Sequence, residues 1–262
     1  MKIGFIGCGN MAKAMMGGII KSGKFEASSI IASDVYVEGL EKAKEELGIN
    51  ITSDNKEVAK NSEVLVLSIK PIYYESVINE IKDVVSSEQI IVTIAPGFAL
   101  ERTRSLFGKD VKIVRTMPNT PALVGEGITA MCTNELVSSE DADYVKEILS
   151  CFGQAEVVGE NLMDVVVSVS GSSPAYVFMF IEAMADAAVA DGMPRAQAYK
   201  FAAQAVLGSA KMVLETGKHP GELKDMVCSP GGTTIEAVRV LEEKGMRSAV
   251  IEAMKACTKK AR

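Results

Sequence analysis

The chain has 262 residues, of which 48% are hydrophobic and only 5% aromatic, with no Trp. That length suits two domains with cores packed from Ala, Val, Ile, Met and Gly. The net charge of −6 argues against a nucleic-acid or anionic-membrane partner, and no uncharged apolar run reaches the ~18 residues of a membrane span.

The first part of the chain alternates between two textures. β-rich runs at 2–7 (KIGFIG), 29–33 (SIIAS), 64–69 (VLVLSI), 89–95 (QIIVTIA), 112–117 (KIVRTM) and 155–159 (AEVVG) are mostly separated by helical patterns. This alternation predicts a mostly parallel sheet with helices on both faces. Right-handed crossovers make it a doubly wound α/β domain of Rossmann type. After Glu160 no convincing strand remains. A long apolar helical pattern from Asn161 is interrupted by Ser-Gly-Ser-Ser-Pro, where Pro174 should end or kink a helix near Ser173. Helical patterns from Pro194, Gly221 and Thr233 complete an all-α region. The expected division is a dinucleotide-binding domain over 1–160 and a helical domain over 161–262. The later helices are apolar around much of their circumference, which predicts burial against a second copy of the chain.

Five cysteines lie far apart at 8, 132, 151, 228 and 257, a pattern of reduced thiols in an intracellular, cytoplasmic protein. The single histidine, His219, argues against a structural zinc site, and no metal is expected. The start, MKIGFIGCGN, reads as a buried strand and turn rather than a signal peptide.

That turn carries the first functional signal. Gly7, Gly9 and Ala12 form a G-x-G-x-x-A pattern between strand and helix, with Asn10 and Met11 inside it. Gly7 makes the tight turn, Gly9 lets backbone approach a pyrophosphate, and Ala12 allows close helix–strand contact. The second strand ends in Ser33-Asp34. An acidic residue about twenty positions past the glycines accepts the ribose 2′-hydroxyl of NADH and repels the 2′-phosphate of NADPH. The other reading makes Asp34 a cap of the next helix and leaves Ser33 for a phosphate. Ser68-Ile69-Lys70-Pro71, Ala95-Pro96-Gly97 and Met117-Pro118-Asn119-Thr120-Pro121 end three further strands and should line the same crevice. Lys70 either faces the cofactor or is a surface charge. Asn119 is either presented near a nicotinamide or belongs to a structural turn. Asn55 is grouped with the cofactor residues.

GCGNMA, IKP, MPNTP, SGSSPAY and SPGGTTIEAV, in this order over essentially the whole chain, resemble the delta-1-pyrroline-5-carboxylate reductase family. The resemblance implies reduction of the cyclic imine 1-pyrroline-5-carboxylate to L-proline, the last step of proline biosynthesis, with NADPH or NADH as cofactor. It implies a helical domain that binds substrate and intertwines into a homodimer, often built into a larger ring such as a decamer, in the cytoplasm. Thr234 matches the family threonine that hydrogen-bonds the ring nitrogen, and is the catalytic candidate. Ser33-Asp34-Val35-Tyr36 departs from the Ser/Thr/Asn-Arg or Ser-rich stretch of many members, which sets NADPH preference in question without touching the reaction.

The residues suit such chemistry. A ring imine is readily protonated near neutral pH, so no strong protein acid is required. The substrate carboxylate needs an anion site, and Pro230-Gly231-Gly232 before a helix starting near Thr233 should expose backbone N–H groups. Gly231, Gly232, Thr233, Thr234 and Ser172 make up the expected substrate site. The alternatives are that the threonines are helix caps and that SGSSPAY is a packing kink. A β-hydroxyacid dehydrogenase would use a Lys on the helix after a glycine-rich turn, and SGSSPAYVFMFIEAMADAA has none. A non-catalytic nucleotide sensor would lack the carboxylate nest.

Overall fold

Ile- and Val-rich runs, buried on both faces, build the sheet that dominates the first part of the chain. The computed structural model describes residues 2–262. β1 (Ile3–Ile6), β2 (Ile30–Ser33), β3 (Asn50–Thr52), β4 (Val64–Leu67), β5 (Ile90–Thr93), β6 (Lys112–Met117), β7 (Gly127–Thr133) and β8 (Gly153–Val157) form one eight-stranded sheet in the order β3-β2-β1-β4-β5-β6-β7-β8. Among the described residues only the β6–β7 pair is antiparallel. The doubly wound, mostly parallel sheet is as expected. β3 and β7 are additions to the strands foreseen.

Helices α1 (Asn10–Lys21), α2 (Val37–Leu47), α3 (Asn55–Asn61), α4 (Tyr74–Ile81), α5 (Leu100–Phe107) and α6 (Ser139–Leu149) connect the strands. Two large apolar clusters, with a smaller one of Met117, Ala130, Cys132 and Met163, form the core among the described residues. One joins Ile3 and Phe5 to Met15, Ile19, Ile148 and Phe152; the other joins Ile6, Leu65 and Leu67 to Val58, Tyr74, Ile78 and Phe107. α6 starts with a capping box between Ser138 and Asp141. Asp141 also lies 2.9 Å from Lys112. Partial burial raises its pKa, but the bonds from Lys112 and Ser138 outweigh that and hold it below the usual aspartate value. On β6 the buried Arg115 lies 3.1 Å from Glu160 and 3.7 Å from Asp164. Glu160 also accepts the Leu100 N–H at 2.7 Å.

The chain divides into two compact units: residues up to Ser172 together with Thr258–Arg262, and Ser173–Cys257. The first unit ends with α7 (Met163–Val166) and a π-helical turn, Val167–Gly171, in which the Ser172 N–H reaches the Val167 carbonyl at 2.8 Å. Thr258 joins this unit by donating to Ser168 Oγ at 2.8 Å. The rest is helical: α8 (Ser173–Ala190), α9 (Arg195–Thr216), α10 (Pro220–Val227), α11 (Thr233–Glu243) and α12 (Met246–Ala261). Pro174 is the second residue of α8, where a missing N–H leaves no hydrogen bond unmade.

The second unit buries only Ala185, Ala198 and Ala202 among its hydrophobic residues, while Leu214, Met179 and Phe201 are 83%, 69% and 66% exposed. By length and composition, the helical run Glu160–Ala190 is apolar enough to cross a membrane. Counting uncharged residues alone overlooked this, because Asp164, Glu182 and Asp186 break the run.

Candidate active site

The carboxyl ends of β1, β2, β4, β5 and β6 share one edge of the sheet. The register aligns Ile6 with Ser33 and Leu67, Leu67 with Thr93, and Thr93 with Arg115. The winding reverses between β1 and β4, so a crevice opens there. Gly7 leaves β1 with φ +98°, and a Cβ on it would lie 2.6 Å from the Ser68 carbonyl oxygen. Its N–H donates to the Ser33 carbonyl at 2.8 Å. Gly9 is the N-cap of α1, and a Cβ there would meet nothing within 4 Å. No side chain caps α1 and its first turn holds no acidic residue. An open cradle at a helix start with unclaimed N–H groups fits a dinucleotide pyrophosphate. Ala12 is buried against the sheet, while Met11 is half-buried and Asn10 exposed.

Several of the other expected cofactor residues are engaged within the protein. Asp34 Oδ2 accepts the Cys8 N–H at 2.6 Å and Oδ1 accepts the Tyr36 N–H at 2.8 Å. Tyr36 is itself the N-cap of α2, so Asp34 ties the glycine turn to the α2 approach rather than capping the helix. Ser33 is fully buried and donates to Asn55 Oδ1 at 2.7 Å, and Asn55 Nδ2 donates to Glu80 at 3.0 Å. The free Ser33 hydroxyl imagined for a phosphate is therefore already spent. Ser68 Oγ points at the Ile6 and Gly7 carbonyls, 3.1 and 2.7 Å away. Ile69 is half-buried, Lys70 and Pro71 are exposed past β4, and Gly97 is exposed beyond the buried Ala95.

Asn119 is 7% exposed; its amide donates to the Ser170 carbonyl at 3.1 Å and accepts the Ile128 N–H at 2.9 Å. Its side-chain oxygen thus clamps the start of β7, and its nitrogen holds the π-turn. Sequence reasoning missed Tyr74, whose buried hydroxyl donates to the Leu67 carbonyl at 2.7 Å and accepts the Ile94 N–H at 3.3 Å. It binds the ends of β4 and β5 together, and burial pushes its hydroxyl well above the usual tyrosine value. Burial likewise raises the Cys8 thiol, with Lys13 opposing and Asp34 adding.

In the helical unit, Gly231 has φ +68° and Gly232 is the N-cap of α11. No side chain caps that helix, so neither threonine acts as a cap. Thr233 is exposed and Thr234 half-buried. The expected nest needs correcting. Pro230 has no N–H, and that of Gly232 is used on the Ser229 carbonyl at 3.0 Å. The amides left to face an anion are those of Gly231 and the first turn of α11. Glu236, at the end of that turn, is paired with Arg239 at 2.7 Å. Ser172 lies in the other compact unit, closing the π-turn. His219 caps α10 by accepting the Gly221 N–H at 3.0 Å.

Over 259 residues the chain is 56% identical to the pyrroline-5-carboxylate reductase of Escherichia coli (strain K12), covering 99% of this chain and 96% of the relative. It belongs to the pyrroline-5-carboxylate reductase family. The reductase of Methanosarcina acetivorans is 45% identical, with 97% of this chain and 94% of the relative covered. Among solved structures, the pyrroline-5-carboxylate reductase of Coxiella burnetii superposes with a TM-score of 0.92 at 35% identity, over 99% of this chain and 97% of that one. The Plasmodium falciparum enzyme, solved with NADP bound, gives 0.90 at 32% identity, over 100% and 97%. Residues 160–262 match the model described as pyrroline-5-carboxylate reductase dimerisation. Residues 2–97 match NADP oxidoreductase, coenzyme F420-dependent. A 3-hydroxyisobutyrate dehydrogenase of Mycobacterium tuberculosis, at 11% identity and a TM-score of 0.52, shares the fold alone. The helical region of this reductase-family chain is therefore a dimerisation region, which accounts for its exposed apolar faces.

Proposed function

We propose that the chain reduces 1-pyrroline-5-carboxylate to L-proline with NADPH or NADH, the last step of proline biosynthesis. The observation that carries this reading is the uncapped start of α11 behind Gly231 and Gly232, with two threonines in its first turn. The substrate presents one carboxylate and one ring nitrogen. The carboxylate docks on the Gly231 and α11 amides, where the helix dipole favours an anion. Thr234 hydrogen-bonds the ring nitrogen and fixes the face of the ring, and Thr233 offers a second hydroxyl.

The nicotinamide, when bound, supplies the hydride. The hydride adds to the imine carbon, the C=N π pair moves to nitrogen, and the nitrogen keeps the proton it carried as an iminium. No side-chain base or strong acid is needed, which suits a His219 committed to a helix cap. The turn Gly7, Gly9, Asn10, Met11 and Ala12 holds the pyrophosphate. Asp34 and Asn55 flank the adenosine ribose, and Ser68, Ile69, Lys70, Pro71, Ala95 and Gly97 line the crevice. Ser33 and Asn119 act at one remove, through the hydrogen bonds they make within the protein.

The functional division falls at 160, with cofactor binding over 1–160 and substrate binding and dimerisation over 161–262; the match that starts at residue 160 supports it. The exposed faces of α8 and α9 support a homodimer that builds a larger ring such as a decamer. On this reading the Glu160–Ala190 run meets another subunit and not a bilayer. The five cysteines, none in a disulfide, support a cytoplasmic setting.

The test is direct. Purified protein given pyrroline-5-carboxylate should oxidise NADH or NADPH and form proline in equal amount. No consumption with either cofactor would overturn the reading.

A further inference from the structure

We infer that this chain selects NADH over NADPH, and that Asp34 is the residue that decides it. The inference rests on the reductase reading above and deepens its cofactor site. Asp34 is held on two sides, with Oδ2 on the Cys8 N–H at 2.6 Å and Oδ1 on the Tyr36 N–H at 2.8 Å. Both donors are backbone, so the carboxylate is fixed beside the glycine turn and cannot swing aside. Each carboxylate oxygen carries two acceptor positions and spends one here, which leaves one apiece for the two hydroxyls of an adenosine ribose. A 2′-phosphate is largely deprotonated at neutral pH and brings about −1.5 to −2 charges against the fixed anion.

Lys13 of α1 acts on Cys8 alongside Asp34, but the segment that follows Asp34 supplies no cation to offset that repulsion. Ser33 is fully buried and donates to Asn55, whose own amide donates to Glu80. The chain of bonds runs towards a second carboxylate. Val35, Tyr36 and Val37 follow Asp34 as exposed residues without a cation. Lys56, in the first turn of α3, stands between Asp54 and Glu57 in sequence, so that turn adds no net positive charge. A site that accepts a 2′-phosphate needs the opposite: an arginine or lysine where Asp34 stands, or hydroxyls free to donate.

Isothermal titration of the full-length protein with NAD⁺ and with NADP⁺ tests this without depending on turnover. NAD⁺ should bind at least roughly tenfold tighter. Asp34→Asn removes the charge but keeps an acceptor oxygen for the Cys8 N–H, so the fold is retained. It should weaken NAD⁺, strengthen NADP⁺ and shift the ratio by about tenfold or more. Asp34→Ser should do the same, and Glu80→Gln should move the ratio in the same direction by about twofold. Steady-state rates with NADH and NADPH should follow the same order. NADP⁺ binding as tightly as NAD⁺ in the parent protein, or a ratio unmoved by Asp34→Asn, overturns the inference, as does failure of both dinucleotides to bind. The expected binding ratio without pyrroline-5-carboxylate reduction would sink the substrate reading and leave the selectivity standing.

Discussion

The two compact units keep their large side chains in opposite places. In the first, Phe5, Met15, Ile19, Tyr74 and Phe152 are all fully buried. In the second, Phe178, Met179, Phe201 and Leu214 stand in the open and small alanines take the inside. Both are made of apolar sequence, so composition does not separate them. The first closes its surface with its own sheet and helices, while the second leaves that task to another copy of the chain. Stability in the one is a property of the molecule; in the other it depends on concentration.

Two phenylalanines probe this contrast most sharply. Phe152→Ala should cost about 3–5 kcal/mol at any protein concentration, measured by denaturant unfolding. Phe201→Ala should instead lower the melting temperature in proportion to dilution; the same loss at high and low concentration would show that the second unit is self-sufficient. Next in size is Thr234→Val, which should lower kcat/KM by about 100-fold with melting unchanged. An unaltered rate would remove Thr234 from the chemistry. Leu214→Glu should shift light scattering towards smaller species and remove part of the helical circular dichroism signal, as the second unit loses its partner. The smallest effect belongs to the first unit. Asp141 has a lowered folded value, so its contribution is complete above the ordinary aspartate value of 3.8 and fades as pH falls through the folded one. Asp141→Asn should therefore lower the melting temperature slightly at pH 7, where the contribution is complete, and converge on the parent protein below about pH 4, which flattens the acid limb of the melting curve.

Legibility in the sequence followed distance along the chain. β1, β2, β4, β5, β6 and β8 announce themselves through β-branched runs, and the glycine turn is wholly local. β3 has only Asn50–Thr52, and β7 (GITAMCT) is diluted by Gly, Ala and Cys, so neither stands out. Hydrogen bonds across long separations had no local signal. Asp34 reaches back 26 residues to Cys8, and Asn119 reaches forward 51 to Ser170. Sequence spacing alone placed Asp34 correctly at a strand end but could not separate a ribose ligand from a helix cap. The π-turn at Val167–Gly171 was readable only as an interruption, because a π-turn has no composition of its own.

The open apolar faces of α8 and α9 also bear on how the protein is obtained. A host cell making a relative 56% identical to this chain, as Escherichia coli does, offers those faces a near-copy to pair with. Mixed assemblies would carry the host's own activity and cofactor preference into every assay. A strain lacking its own reductase, or mass analysis of the intact assembly before kinetics, keeps the measured preference a property of this chain.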